Sequence, residues 1–472
     1  MDVDTGEVVD TQPSDRLQFV GPYIADATGA LRLRCIQWAS GIELQHRRTD
    51  HDEFVTAYKW TWTEPFVHIQ GFAGDANTAY FLTHDDGDWC VLRGFDTTTF
   101  KLSSPLVTFK GAEIRSALFS RDRGKIVGLS VDGGNDVFEY WLDETMRRNQ
   151  AVVDASLPGH KNRITSWSRD MSVLIVHSMK GSEPGTYYSL DMKNKALVRL
   201  GGRHPQVDSA KLGKVTRADI VARDGFTIHA VVTVPSGGAK GPYPLVLFPQ
   251  SEIFKTRWSV EYNVLTQFLA SRGYASLCVD YRGSSGYGQS YEDAGRHEIA
   301  GKIPDDIEDA ALWSIKSGYA TKGRICIDGY GFGGTLALIA ATSSPELYCC
   351  VINQGGEADL ERLGRGYRDG SDWLTLKKMD IYLGDDTKAL SRRSPLSAMD
   401  LLRVPILNVY DDPDHDESWN RLESALRHSK KPYVLFKNLI PSNDVWPFDY
   451  RTNYLQQIEG FLEKNLLNAP SS

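Results

Sequence analysis

The chain has 472 residues, 41% of them hydrophobic and 24% charged, and its 53 Lys and Arg against 61 Asp and Glu give a net charge of −8. This composition excludes a disordered chain, and the length exceeds what a single core organises, so two or three globular domains are expected. The acidic balance argues against non-specific binding to nucleic acid.

The sequence lacks the patterns of a membrane segment, a signal peptide and a cysteine zinc site. No apolar run approaches the ~18 residues that cross a bilayer, and the polar start, Met-Asp-Val-Asp-Thr, is unlike a signal peptide. The six cysteines lack the spacing of zinc ligands, and Cys278 and Cys326 fall in apolar runs, so buried thiols are expected. The sequence therefore predicts a cytoplasmic protein without a cofactor.

Residues 1–205 are predicted to form repeated β-structure, because short alternating apolar segments are separated there by Asp-Gly and Gly-Asp turns. An Asp precedes an apolar run at Asp26, Asp75, Asp122 and Asp170, at intervals of 49, 47 and 48 residues. A repeat of about 40–50 residues built from short strands is typical of a β-propeller blade. The alternative is a β-sandwich in which this spacing arises by chance.

Residues 206–472 have a different pattern, in which strand-like runs alternate with helical ones. This alternation predicts a mostly parallel, doubly wound sheet covered by helices, in the order of an α/β-hydrolase domain. The predicted strands are 228–234, 244–248, 274–279, 324–327, 349–353, 405–409 and 433–436, and the predicted helices are 260–271, 304–317, 335–343, 418–428 and 450–467.

The most informative segment is Gly-Tyr-Gly-Phe-Gly-Gly at 329–334, between a predicted strand and a predicted helix. Strand, sharp turn and helix are the setting of the nucleophile elbow G-x-S-x-G of α/β-hydrolases. Gly331 stands where the serine is expected. Because glycine has no side chain, the sequence has the frame of a serine hydrolase without its nucleophile.

Together these features resemble the prolyl oligopeptidase family of serine peptidases, especially its acylaminoacyl-peptidase and dipeptidyl-peptidase-like branch. The resemblance covers about residues 215–468 and, less specifically, the repeats. It implies a partial or small β-propeller of about four blade repeats joined to an α/β-hydrolase domain. Besides the elbow, its carriers are QFLASRGYA at 267–275, DYRGSSGYG at 280–288, DDIED at 305–309, PELY at 345–348 and SPL at 394–396.

The resemblance also assigns the catalytic positions of the family to this chain. The triad serine falls on Gly331, the aspartate on Asp414 and the histidine on Val445. The altered oxyanion loop reads Pro-Gln-Ser-Glu-Ile at 249–253, so the oxyanion region holds Gln250 and Phe332.

No histidine follows His428, so a shifted alignment does not supply the missing triad base. A serine nucleophile needs an imidazole to take its proton, and loss of either group costs about 10⁶ in turnover. The sequence therefore predicts a catalytically inactive homologue that acts as a binding or regulatory protein, with a peptide held between its domains. One alternative is a peptidase with a reorganised site that uses Ser251 or Ser442 with His415. Another is a decaying gene product.

Two further readings concern ligands at glycine-rich and acidic segments. Gly329, Gly331 and Gly334 satisfy the dinucleotide fingerprint G-x-G-x-x-G, and bare amides at a helix start also suit a small anion. The acidic loop at 411–417 is either a divalent-cation site or a solvated loop, and it lacks EF-hand spacing.

The resemblance bears on partners and location as well. Family members carry seven or eight blades, so this chain resembles one that begins within its propeller, and an upstream export signal would change the predicted location. An open set of blades leaves strand edges unpaired. A homodimer or a second polypeptide is expected to cover that edge.

Overall fold

The structure is a computed structural model. It describes residues 19–38, 41–61, 64, 67–84, 87–134, 137–237, 241–252, 257–363, 381–384, 386–410, 417–437 and 448–467. We refer to residues 19–202 as the sheet region and to residues 214–467 as the hydrolase domain.

The sheet region consists of four antiparallel sheets that follow one another along the chain. The first sheet contains β1 (Phe19–Ala25), β2 (Leu31–Trp38), β3 (Gly41–His46) and β4 (Val55–Thr61), and the second contains β5 (His68–Phe72), β6 (Thr78–Thr83), β7 (Val91–Asp96) and β8 (Lys101–Leu102). The third contains β9 (Glu113–Phe119), β10 (Ile126–Asp132) and β11 (Val137–Trp141), and after helix α1 (Glu144–Ser156) the fourth contains β12 (Lys161–Trp167), β13 (Val173–Met179), β14 (Thr186–Asp191) and β15 (Ala196–Gly202).

The repeated aspartates explain how each sheet begins. Asp26, Asp75, Asp122 and Asp170 all lie in the turn between the first and second strands of their sheets. In every case the carboxylate accepts the backbone N–H of the residue two positions further on, at 2.8–3.2 Å. This contact is an Asx-turn, which fixes a tight reversal of the chain. The spacing read from the sequence is therefore a real structural repeat.

Neighbouring sheets are joined by apolar contacts between their faces. Leu33 and Phe72 share a cluster between the first and second sheets, and Leu82 and Leu129 share one between the second and third. A third cluster joins the third and fourth sheets. Within the described residues no apolar cluster combines the first sheet with the fourth. The expected partner at an open edge stays a prediction.

The hydrolase domain contains one sheet whose eight described strands have the order β16-β17-β19-β18-β20-β21-β22-β23. The strands are β16 (Lys214–Val221), β17 (Thr227–Val234), β18 (Tyr243–Pro249), β19 (Ala275–Asp280), β20 (Ala320–Tyr330), β21 (Cys350–Gln354), β22 (Ile406–Tyr410) and β23 (Tyr433–Lys437). Strand β17 is antiparallel to both its neighbours, and the other five pairings are parallel. The predicted mostly parallel sheet is confirmed.

Helices cover both faces of this sheet, because alternate side chains of each central strand are apolar on both sides. The helices are α2 (Val264–Ser271), α3 (Gln289–Asp293), α4 (Lys302–Lys316), α5 (Phe332–Ser343), α6 (Thr387–Arg393), α7 (Glu417–His428) and α8 (Phe448–Leu462). In β18, Leu245 and Leu247 face a cluster with α4 and α5, whereas Val246 and Phe248 face a cluster with α2 and α8. Short 3₁₀ turns span Ser209–Lys211 and Pro395–Leu401, and a π turn spans Glu463–Leu467.

The predicted elements of the hydrolase domain differ from the observed ones mainly at their ends. The helix predicted from residue 260 begins at Val264, because the side chain of Asn263 caps it by accepting the N–H groups of Leu265 and Thr266. The strand predicted at 324–327 is part of the longer β20, which continues through a buried acidic residue. No helix in the described part of the chain is long and apolar enough to cross a membrane.

Candidate active site

The predicted elbow lies at the carboxyl end of β20, in the middle of the sheet. Strand β20 ends at Tyr330, helix α5 begins at Phe332, and Gly331 between them has φ 54° and ψ −122°. Its N–H donates to the carbonyl oxygen of Gln354 at 2.8 Å. A side chain is strained in this backbone conformation, whereas glycine adopts it freely. The structure therefore keeps the sharp turn of a nucleophile elbow and places a glycine at its apex.

The other glycines of the elbow are explained by close packing of the turn. A Cβ on Gly329 would overlap the carbonyl oxygen of Gly333, and one on Gly334 would lie 2.5 Å from the side-chain oxygen of Asn353. Strand and helix approach each other more closely here than side chains allow. These contacts account for the G-x-G-x-x-G pattern without a bound phosphate.

Residues 249–252, which we call the plug, cover the elbow. The carbonyl oxygen of Ser251 accepts the N–H of Phe332 at 3.1 Å. The same oxygen would lie 3.3 Å from a Cβ on Gly331. In α/β-hydrolases the N–H after the nucleophile is a donor of the oxyanion hole. In this chain that donor is already engaged by the main chain of the plug.

The plug is held by two residues at the end of β19. The side chain of Gln250 donates to Oδ1 of Asp280 at 2.6 Å, and the hydroxyl of Tyr281 donates to the carbonyl oxygen of Glu252 at 3.0 Å. Gln250 is buried. Of the two residues predicted for the oxyanion region, Gln250 thus contacts Asp280, and Phe332 contributes an N–H bonded to Ser251.

Asp280 is a buried carboxylate shared by several donors. Besides Gln250, its Oδ1 accepts the N–H of Trp258 at 2.9 Å, and its Oδ2 accepts the hydroxyl of Tyr287 at 2.7 Å. Burial raises the pKa of Asp280, while the hydrogen bonds from Gln250, Trp258 and Tyr287 oppose that rise. These three donors hold the Asp280 carboxylate in place, and Asp280 in turn holds Gln250 of the plug.

A second buried carboxylate lies beneath the elbow. Asp328 accepts the side-chain N–H of Gln354 on Oδ1 at 2.6 Å, and Gln354 in turn accepts the hydroxyl of Tyr454 at 2.6 Å. Among the described residues, Oδ2 of Asp328 has no hydrogen-bond partner. Burial raises the pKa of Asp328 to about 7. Gln354 also bonds Gly331, so this chain of contacts links the elbow to helix α8.

Several predicted site residues lie outside the described residues. Asp414 and His415 belong to the segment 411–416, and Ser442 and Val445 belong to the segment 438–447. Their predicted roles stay predictions. Across the ranges that the structure does describe, no group of three or more His, Cys, Asp or Glu side chains is arranged to hold a metal ion.

Cys326 is part of the core, as expected. It lies in β20 within the cluster beneath the elbow, and burial raises its pKa to about 11. A thiol that is buried and protonated is a poor nucleophile.

Comparison with known proteins shows that part of this chain is similar to a family of peptidases. Residues 258–423, which include the elbow, match the prolyl oligopeptidase family. Dipeptidyl aminopeptidase BIII of Pseudoxanthomonas mexicana is 28% identical over 382 residues, which cover 78% of this chain and 55% of that protein. Dipeptidyl peptidase family member 6 of Caenorhabditis elegans is 24% identical over 480 residues, which cover 91% of this chain and 64% of that protein. The chain spans less than two thirds of either relative.

Solved structures show the same fold over nearly the whole chain. A puromycin-hydrolyzing peptidase of Mycobacterium tuberculosis superposes with a TM-score of 0.73 at 17% identity, covering 95% of this chain and 70% of that one. An acylaminoacyl peptidase of Pyrococcus horikoshii gives a TM-score of 0.70 at 14% identity, and the superposition covers 99% of this chain and 73% of that one. The chain therefore combines a propeller-like sheet region with an α/β-hydrolase domain of the prolyl oligopeptidase type.

Proposed function

We propose that this chain is a non-catalytic member of the prolyl oligopeptidase family that binds peptides. The observation that carries the proposal is the state of the elbow. Gly331 supplies no nucleophile, and the adjacent N–H of Phe332 is bonded to Ser251 at 3.1 Å. At the elbow, the described residues therefore provide neither of the two groups that an acyl transfer needs first, an attacking oxygen and a free donor for the developing oxyanion.

The expected size of the catalytic defect is large. Removing the serine or the histidine of a triad costs about 10⁶ in turnover, or about 8 kcal/mol of barrier. The rate enhancement that survives in such variants comes largely from the oxyanion hole and from binding. Here the plug engages the oxyanion donor as well. The alignment of Val445 with the triad histidine supports the same proposal.

The peptide is the ligand class that the family context supports. The relatives and structural neighbours carry names of enzymes that act on peptides, among them dipeptidyl aminopeptidase and acylaminoacyl peptidase. In this chain the side chain of Tyr330 is 57% exposed directly beside Gly331 and offers an aromatic contact at the elbow. A peptide held between the sheet region and the hydrolase domain is the corresponding proposal for the site.

The second candidate function is a peptidase of dipeptidyl-peptidase type with a reorganised site. The names of the relatives and the family match of residues 258–423 favour it. In that case Ser251 or Ser442 would act as nucleophile, and His415 would act as base. A turnover assay separates this candidate from the first.

The deciding experiment combines turnover with active-site labelling. Purified protein is incubated with peptide anilides that carry acylated or free N-termini, and with a fluorophosphonate, whose adduct is read by intact mass. The non-catalytic proposal expects neither turnover nor adduct, together with binding of a fluorescent peptide measured by anisotropy. Turnover with an adduct that disappears in Ser251→Ala or Ser442→Ala establishes the peptidase instead. Absence of both turnover and peptide binding refutes both candidates.

Replacing the apex glycine by serine is expected not to create a peptidase. In Gly331→Ser the new side chain must adopt a positive φ beside the Ser251 carbonyl at 3.3 Å, which costs about 1–2 kcal/mol of stability. Urea denaturation and fluorophosphonate labelling measure the two effects. Gly460→Ser is the control, because Gly460 lies exposed in α8 with open space around it. Labelling of Gly331→Ser at residue 331 would show that the plug does not block the site.

A further inference from the structure

We infer that the plug is a displaceable cover of the elbow, and that docking of the sheet region against the hydrolase domain holds it in place. This inference deepens the proposed function and rests on it, since it concerns the regulation of the same binding site. The plug occupies the position that a bound peptide carbonyl would take, because the carbonyl oxygen of Ser251 accepts the N–H of Phe332 at 3.1 Å. The ligand that competes with it is accordingly another peptide carbonyl.

The placement of the plug depends on Asp280. Gln250 holds one oxygen of this carboxylate at 2.6 Å, and Tyr287 holds the other at 2.7 Å. Asp280 is fully buried, so a lost donor is not replaced by bulk water and leaves the carboxylate poorly satisfied. A change in the position of Tyr287 is therefore transmitted through Asp280 to Gln250, one residue from Ser251.

The third sheet reaches Tyr287 through Arg257 of the hydrolase domain, and Arg217 also donates to the tyrosine hydroxyl at 3.1 Å. Asp132 at the end of β10 forms a buried ion pair with Arg257 of the hydrolase domain. The guanidinium of Arg257 lies over the ring of Tyr287, 5.4 Å from its centre, and also donates to the carbonyl oxygen of Gly286 at 3.4 Å. The pair thus joins the sheet region to the residue that bonds Asp280.

The residues after Tyr287 make further contacts with the sheet region. Glu113, the first residue of β9, accepts the N–H of Gly288 at 3.0 Å. Asp88 accepts the N–H of Ser290 at 2.6 Å on its side chain. Two carboxylates from the sheet region therefore fix the residues that follow Tyr287. The path from Asp132 through Tyr287 and Asp280 to the plug is continuous.

This arrangement couples two equilibria, docking of the sheet region and closure of the plug. When the sheet region is docked, Tyr287 and Asp280 hold Gln250, and the plug covers Phe332. When docking is weakened, the anchor loosens and the elbow opens to a peptide. Because such coupling is reciprocal, a peptide that displaces the plug also weakens docking.

Hydrogen exchange of the Phe332 amide tests this inference on the full chain. Asp132→Asn weakens docking by removing the charge that pairs with Arg257, and Tyr287→Phe removes the hydroxyl that bonds Asp280. Both are expected to speed exchange at Phe332 by about tenfold, because its N–H is protected by the plug. Mass spectrometry of fragments covering 328–338 provides the measurement.

Glu43→Gln is the matched control. Glu43 is also a buried carboxylate of the sheet region, but it pairs with Lys59 at 3.0 Å inside the first sheet and not with the hydrolase domain. Exchange of the Phe332 amide in Glu43→Gln is expected to stay unchanged. Unchanged exchange in Asp132→Asn, or an equal rise in Glu43→Gln, would overturn the coupling. Since exchange does not depend on turnover, this inference and the proposed function fail separately.

Discussion

Replacing Arg282 by methionine is expected to lower the free energy of unfolding by about 3–5 kcal/mol, because it leaves a buried carboxylate without its counter-charge. The side chain of Arg282 is 4% exposed and that of Asp306 is 0% exposed. The guanidinium binds both oxygens of Asp306, at 2.6 Å and 2.8 Å, and its other side binds Asp224. Burial raises the pKa of Asp306, and the bonds from Arg282 oppose that rise.

Urea denaturation at pH 7 of Arg282→Met measures this cost. Arg223→Met is the matched control, because Arg223 pairs with Asp309 and Glu308 while its own side chain is 46% exposed. An exposed pair of this kind is worth at most about 1 kcal/mol. Adding Asp306→Asn to Arg282→Met should recover much of the loss, since the uncompensated charge is then removed. Equal losses in Arg282→Met and Arg223→Met would contradict the argument.

The motif at 280–288 was recognisable from the sequence, but its structural role was not. Its residue types indicate the resemblance to the prolyl oligopeptidase family. In the structure, Asp280 binds Gln250 of the plug, and Arg282 binds Asp306. Both partners lie more than 20 positions away in the sequence. Such pairings follow from the tertiary fold and leave no local pattern.

The strands, helices and repeats were predictable because their causes are local. Alternating apolar residues indicate strands, and turn-forming aspartates stand next to the strands they connect. The strand at 324–327 was predicted too short because Asp328 interrupts the apolar run. In the structure Asp328 continues β20, since Gln354 on the neighbouring strand satisfies one of its oxygens. A buried acidic residue that is hydrogen-bonded to a neighbouring strand, such as Asp328, is therefore mistaken for the end of a strand when only the sequence is known.

The chemistry of the elbow was predictable only in part. The absence of a side chain at the apex was visible, because it is a matter of residue type at Gly331. The role of Ser251 was not, because it acts through its main-chain carbonyl, which every residue has, and not through the hydroxyl that made it a candidate nucleophile. Sequence patterns are read from side chains. The bond between the Phe332 N–H and the Ser251 carbonyl joins two main-chain groups, so no residue type indicates it.

Replacing Asp328 by asparagine is expected to stabilise the protein at alkaline pH and to stabilise it less at acidic pH. Burial raises the pKa of Asp328 from 3.8 to about 7 in the folded state. The folded protein therefore holds this proton more tightly than the unfolded chain does. Between about pH 4 and pH 7 the unfolded chain loses the proton first, so stability falls as the pH rises through that window.

The size of the effect follows from the shift of the pKa. At 1.36 kcal/mol per pKa unit, the full shift corresponds to a penalty of up to about 4 kcal/mol above pH 7. Asparagine keeps an oxygen for Gln354 and carries no charge, so it escapes this penalty. In urea denaturation, the advantage of Asp328→Asn over the natural protein should be about 1–2 kcal/mol at pH 5 and up to about 4 kcal/mol at pH 8.5.

The comparison at two pH values separates this electrostatic cost from ordinary effects of substitution. Loss of packing or of a hydrogen bond in Asp328→Asn would shift stability by the same amount at both pH values. Glu346→Gln, at an exposed position, is the control for replacing a carboxylic acid by its amide. If the advantage of asparagine does not grow between pH 5 and pH 8.5, Asp328 is not held as a costly buried anion. A confirmed difference would mean that the elbow rests on a group that is half-ionised near neutral pH, because Gln354 bonds both Asp328 and Gly331.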